Sequence, residues 1–199
     1  MKVTIFDYGA GNLHSLLKAL AGDDCRVETQ TDPSLAAKDT DVLVLPGVGA
    51  FGHAAARLAP GRDAVRAAID AGLPCLGICL GMQLLFDASD EGPGIGLGVF
   101  PGRVRKLEGE RVPQIGWNTI ENAHDPLLDA APVPIAYYAN SYVCDPIDIP
   151  SVRAWSTHGS TTFPAFVRAE RTVGVQFHPE KSSRSGVELI RAFLREVRS

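Results

Sequence analysis

Cys79 and His178 lie far apart in this sequence, and each has the side chain and surroundings that covalent catalysis needs. Cys79 sits at the centre of Gly77-Ile78-Cys79-Leu80-Gly81, between an apolar strand-like run, Pro74–Ile78, and a helix-compatible run, Leu80–Phe86. This is the form of a nucleophile elbow, with sulfur in place of a serine hydroxyl. Such an elbow lifts its reacting side chain to the tip of a sharp strand-to-helix turn. Glycines on either side let the turn close and the substrate approach. The following helix is expected to aim its free N–H groups and positive end at the sulfur, favouring the nucleophilic thiolate. The competing reading is a buried, inert cysteine behind an internal strand, a common setting for the residue.

A thiol nucleophile needs a base. Val173-Gly174-Val175-Gln176-Phe177 runs directly into His178-Pro179-Glu180. Side chains two residues apart in an extended segment face the same way, so His178 and Glu180 are expected on one side, with Pro179 restricting itself and the residue before it. A carboxylate beside an imidazole fixes its tautomer and stabilises its charged form. Together they form the base-and-orienter half of a nucleophilic triad. His14 falls on the first helix, His53 follows a Gly-rich loop, and His124 and His158 sit in polar turn-like stretches. None has an acidic residue placed as Glu180 is.

The elements that must position these groups follow from periodicity. Val3–Asp7, Arg26–Thr29, Asp41–Leu45 and Pro74–Ile78 read as strands, and Leu13–Ala21, Arg62–Ala71 and Ser185–Val197 as helices with core-facing spacing. Strands alternating with helices predict a parallel, doubly wound sheet. In such sheets ligands sit beyond the strands' carboxyl ends. The Gly-rich stretch Pro46–Gly52 lies at such an end, where its N–H groups can turn inward. Tyr8–Asn12 is also Gly-rich but lacks a full nucleotide motif, and reads as a tight turn. From Gly92 onward the texture changes. Val104–Leu107, Ile115–Ile120, Tyr137–Val143, Val152–Ser156, Phe166–Ala169 and Val173–Phe177 read as a meander. The fold class expected is α/β: a doubly wound, mostly parallel central sheet flanked by helices, with a smaller antiparallel section, all in one domain spanning 1–199.

Composition removes several alternatives. With 199 residues, 45% hydrophobic and 21% charged, the chain can bury a sizeable core. A net charge of -4 offers no basic surface for nucleic acid or membrane. The opening apolar run is too short for a signal-peptide core and no run is long enough to span a bilayer, so a cytoplasmic location is expected. Cys25, Cys75, Cys79 and Cys144 are expected to be reduced thiols. Cys75-x3-Cys79 is poor metal spacing. Neither a metal nor a cofactor is expected.

These stretches together resemble the class I, triad-type glutamine amidotransferases, and among them the glutaminase subunits of imidazole glycerol phosphate synthases. The resemblance is carried by Asp7–Asn12, Pro46–Gly52, Gly77–Gln83, Ile115–Asn118 and Gln176–Ser183, and spans nearly the whole chain. It implies that Cys79 attacks the side-chain amide of glutamine, that His178 moves the proton to departing ammonia, and that Glu180 orients His178. It implies an oxyanion held by the N–H of Leu80 and by an N–H of the Val48-Gly49 peptide, each worth about 3 kcal/mol of barrier. Gln83, Ser141 and Tyr142 match the glutamine pocket. The partner implied is a (β/α)8-barrel cyclase subunit that receives the ammonia, in a heterodimer. Asn12, Lys18, Trp117, Asn118, Tyr137 and Lys181 are candidates for that interface. Asn140-Ser141-Tyr142 departs from the family, which commonly has His before Ser or Thr and Tyr. The rival readings are an amidotransferase of the anthranilate or pyridoxal phosphate type, which Val48 and Lys181-Ser182-Ser183 oppose, and a silent binding subunit, which an intact triad opposes.

Overall fold

A computed structural model describes residues 1–9, 11, 13–22, 25–109 and 111–198. The continuous apolar runs become the inner strands, as burial on both faces requires. In chain order the first half contains β1 (Lys2–Phe6), α1 (His14–Leu20), β2 (Arg26–Gln30), α2 (Pro33–Ala36), β3 (Val42–Leu45), α3 (Phe51–Leu58), α4 (Arg62–Asp70), β4 (Cys75–Ile78) and α5 (Leu80–Leu84). The second half contains β5 (Ala88–Ser89), β6 (Gly102–Lys106), β7 (Gln114–Thr119), α6 (Pro126–Ala130), β8 (Ile135–Asn140), β9 (Tyr142–Pro146), β10 (Val152–His158), β11 (Thr161–Ala169), β12 (Thr172–Val175) and α7 (Ser183–Glu196).

Seven strands form the central sheet in the order β10-β11-β12-β4-β3-β1-β2. The five from β12 to β2 are parallel, while β10, β11 and β12 pair antiparallel. Period-two alternation feeds two cores. Val42 and Val44 of β3 join a cluster with Leu16, Leu20, Leu128, Leu189 and Phe193. Leu43 and Leu45 join one with Phe51, Leu58, Val65, Leu80 and Leu84. Helices therefore cover both faces, the α/β architecture expected. Among the described residues no helix is long and apolar enough to cross a membrane.

The second half is not one meander. β12 returns to the middle of the molecule and pairs parallel with β4, so only β10–β12 meander. β5, β6 and β9 form a separate three-stranded sheet, and β7 and β8 a hairpin. The stretch Tyr137–Val143 is two strands broken at Ser141, because β8 pairs with β7 whereas β9 turns to pair with β6. The Gly-rich stretch is also shorter than expected, since Phe51 and Gly52 already belong to α3. Apolar content alone did not reveal the break at Ser141, which is set by tertiary pairing, nor the start of α3, which the glycines before it obscure.

Candidate active site

Three neighbouring strands end at one edge of the sheet. β3 delivers the loop Pro46–Ala50, β4 delivers Cys79, and β12 delivers Gln176 to Glu180. The register places Gly77 of β4 opposite Leu45, and Ile78 opposite Val175, so the three segments leave the sheet side by side. The Cys79 N–H donates to the Val175 carbonyl at 2.7 Å, tying the elbow to the strand that precedes the histidine.

The elbow is sharp. Cys79 has φ 47° and ψ -101°, a strained conformation for a residue with a side chain. Gly77 and Gly81 are required by backbone packing rather than by substrate approach. A Cβ on Gly81 would stand 2.0 Å from the Leu45 carbonyl oxygen, and one on Gly77 would stand 2.8 Å from the Gly81 backbone. The helix beyond, α5, has only five residues, and the Cys79 side chain does not cap it. Side chains surround the sulfur instead. Gln176 Nε2 donates to Sγ at 3.4 Å, and His178 interacts with the sulfur both as hydrogen-bond partner and as charge.

His178 is buried, and its Nδ1 lies 2.9 Å from Glu180 Oε1. The two are not carried by an extended strand. Pro179–Lys181 is a single 3-10 turn, and the turn folds the carboxylate back beside the ring. With Nδ1 engaged, Nε2 is the ring nitrogen left for sulfur. Burial alone would push His178 down. The Cys79 sulfur and the Glu180 carboxylate outweigh it and raise the imidazole to about 10. At neutral pH the ring is therefore imidazolium, with both nitrogens protonated. Gly47 makes room for it, since a Cβ there would lie 2.9 Å from His178 Cε1. The segment is fixed by a hydrogen-bonded cycle. His178 N–H donates to the Tyr137 carbonyl at 2.8 Å, Tyr137 N–H to Ser182 Oγ at 2.9 Å, and Ser182 Oγ to the His178 carbonyl at 2.7 Å.

A cavity of about 230 Å³ opens in front of Cys79 and His178, walled by Val48, Gly49, Leu80, Gln83, Glu91, Asn140, Ser141, Tyr142 and Lys181, among others. All the residues expected for the triad, oxyanion and glutamine pocket thus border this cavity, except Glu180, which stands behind His178. Gln83 Nε2 donates to the Tyr142 carbonyl at 3.1 Å and to Gln176 Oε1 at 3.4 Å, so a chain of amides runs from the wall to the sulfur. Asn140, which departs from the histidine common in the family it resembles, donates Nδ2 to the same carbonyl at 3.1 Å. Its Oδ1 is buried with no partner among the described residues.

Two residues of the site were missed from sequence. Gln176 is buried and lies just past the end of β12, two residues before His178, on the segment that leads into the cavity. Glu91 lines the cavity and accepts from the Phe51 N–H at 2.7 Å, at the start of α3. Its only sequence signal is an acid among glycines, which is too weak to use alone.

The interface candidates divide. Trp117, 56% exposed, packs edge-on to Tyr137 at 6.1 Å on the outer face of the β7–β8 hairpin. Ile115 and Ile135 extend this face. Lys181 is exposed at the cavity rim. Asn118 turns inward and donates to the Thr157 carbonyl at 2.9 Å. Lys18 borders a second cavity of about 340 Å³, of which Glu180 also forms a wall. Asn12 lies outside the described residues. A wider cavity, about 470 Å³ with Cys25, Arg191, Arg195 and Arg198, flanks the start of β2, at the opposite edge of the sheet.

The family description "Glutamine amidotransferase class-I" matches residues 4–197. A solved structure titled as a glutamine amidotransferase superposes with TM-score 0.76 at 18% identity, covering 99% of each chain, which shows a shared fold. The chain belongs to the class-I glutamine amidotransferases. Within that class it groups with the subunit HisH of imidazole glycerol phosphate synthase. It is 46% identical to that subunit from Symbiobacterium thermophilum, covering 95% of this chain and 91% of the relative, and 43% identical to the one from Gloeothece citriformis, covering 98% and 96%.

Proposed function

We propose that this chain is the glutamine-hydrolysing, ammonia-supplying subunit of an imidazole glycerol phosphate synthase in histidine biosynthesis, with Cys79, His178 and Glu180 as its triad. The observation that carries the residue roles is the convergence of the ends of β3, β4 and β12 on one cavity. Cys79 Sγ attacks the side-chain carbonyl carbon of glutamine, forming a C–S bond. The carbonyl oxygen takes up the negative charge between the N–H groups of Leu80 and Gly49. As the first residue of its helix, Leu80 has no intrahelical acceptor for its N–H. The tetrahedral adduct collapses, the C–N bond breaks, and the nitrogen leaves as ammonia with the proton held by His178. Water, deprotonated by the now neutral imidazole, then attacks the thioester and releases glutamate and the thiol. Glu180 keeps Nδ1 engaged so that Nε2 faces the reaction. Gln83, Ser141 and Tyr142 hold the substrate, and Glu91 adds a negative charge suited to its ammonium group.

The ammonia passes to a cyclase partner, which we take to be a (β/α)8 barrel in a heterodimer. It seats on the exposed face of Trp117 and Tyr137 with Lys181, and Lys18 at its edge. The family match over 4–197 supports reading 1–199 as one amidotransferase domain. The four free thiols suit a reducing, cytoplasmic setting.

The test is Cys79→Ser in the complex. Glutamine-dependent synthesis should fall by about 10³-fold or more, while synthesis from added ammonium should be unchanged. Loss of both would make Cys79 structural.

A further inference from the structure

Tyr8 follows β1 at the same edge of the sheet and is buried, with its ring edge-on to Phe6 at 5.6 Å. Its phenol O–H donates to the carbonyl of Pro46, the first residue after β3. Its own carbonyl lies 3.0 Å from Nε2 of His53, in the first turn of α3. One residue thus grips both flanks of the loop that carries Val48 and Gly49. The loop needs such support. Gly49 has φ +128°, a conformation unfavourable for other residues, and Gly47 lies against the His178 ring. Burial, followed by the charges of Cys79 and Asp7, pushes the phenol well above its ordinary range, so it remains a donor at any working pH.

We propose that Tyr8 is a positioning residue for glutamine hydrolysis, whose O–H fixes the Pro46–Ala50 loop so that a peptide N–H is presented to the oxyanion. This rests on the reading of Leu80 and Gly49 as oxyanion donors. Tyr8 touches no reacting atom in this role. It acts through the loop, so it should matter for the transition state and little for substrate affinity.

The experiment compares Tyr8→Phe with Tyr138→Phe in the complex with the cyclase partner. Tyr138 is equally buried, and its hydroxyl bonds Ser156 at 2.6 Å, away from the loop. Tyr8→Phe should lower kcat for glutamine about tenfold with KM within twofold. It should leave alkylation of Cys79 by iodoacetamide, which forms no oxyanion, at its normal rate. Tyr138→Phe should lower the unfolding midpoint and leave kcat unchanged. An unaltered kcat in Tyr8→Phe overturns the proposal. So does a parallel fall in alkylation, which would put the phenol on the nucleophile, or an equal loss in Tyr138→Phe. If Cys79→Ser retained glutamine turnover, the catalytic reading itself would fail, independently of Tyr8.

Discussion

Two polar clusters in this molecule are built on opposite terms. Arg168 on β11 grips Asp125 with Nε at 2.7 Å and Nη2 at 2.9 Å, and reaches Glu196 at the end of α7 with Nη1 at 2.6 Å. Asp125 also caps α6 by accepting from the Leu127 N–H at 2.9 Å. Both Asp125 oxygens are engaged. The cluster at the carboxyl edge is different. Gln83, Gln176, Asn140, His178 and Glu180 are linked, yet Asn140 Oδ1 and Glu180 Oε2 are buried with no partner among the described residues. A saturated network contributes rigidity, whereas an unsatisfied one retains a desolvation cost that is useful only if another species completes it. The first cluster fastens two helices to a strand, and the second keeps hydrogen-bonding capacity in reserve beside a cavity.

The largest test of that contrast is His178→Ala, which should cut glutamine turnover by about 10²- to 10⁴-fold. Glu180→Gln should cost less, because it disturbs orientation rather than removing the proton carrier. It also removes the carboxylate charge that helps raise the imidazole to about 10. Imidazolium is lost as pH rises through that value, so the alkaline limb of kcat should move to lower pH in this variant. Equal losses in the two variants would deny the division of roles. Arg168→Met should do the reverse. It leaves the buried Asp125 carboxylate without its cation and should cost about 3 kcal/mol of stability, read as a fall in unfolding midpoint of about 6–12 °C, with kcat unchanged. A catalytic loss there would break the comparison.

Much of the site was legible because its chemistry is local. Gly77–Gly81 and His178–Glu180 each carry their meaning within five residues or fewer. The apolar runs of β1, β3 and β4 announce strands buried on both faces. What sequence did not supply depends on long-range pairing. The start of β11 at Thr161 is fixed by its register with β10. The start of α3 follows a loop whose glycines obscure it. Glu91 and Tyr8 gain their roles only through partners some forty positions away in sequence, Phe51 and Pro46. Gln176 lies only two residues before His178, but a glutamine at the end of an apolar run carries no chemical signature of its own.

The elbow's backbone has a consequence for how this chain can drift. At Cys79 the main chain holds a shape that glycine adopts at little cost and cysteine does not. Cys79→Gly should therefore relax the native fold and raise its unfolding midpoint, while ending turnover of glutamine. Selection for a sturdier molecule and selection for a working one pull this single position in contrary directions.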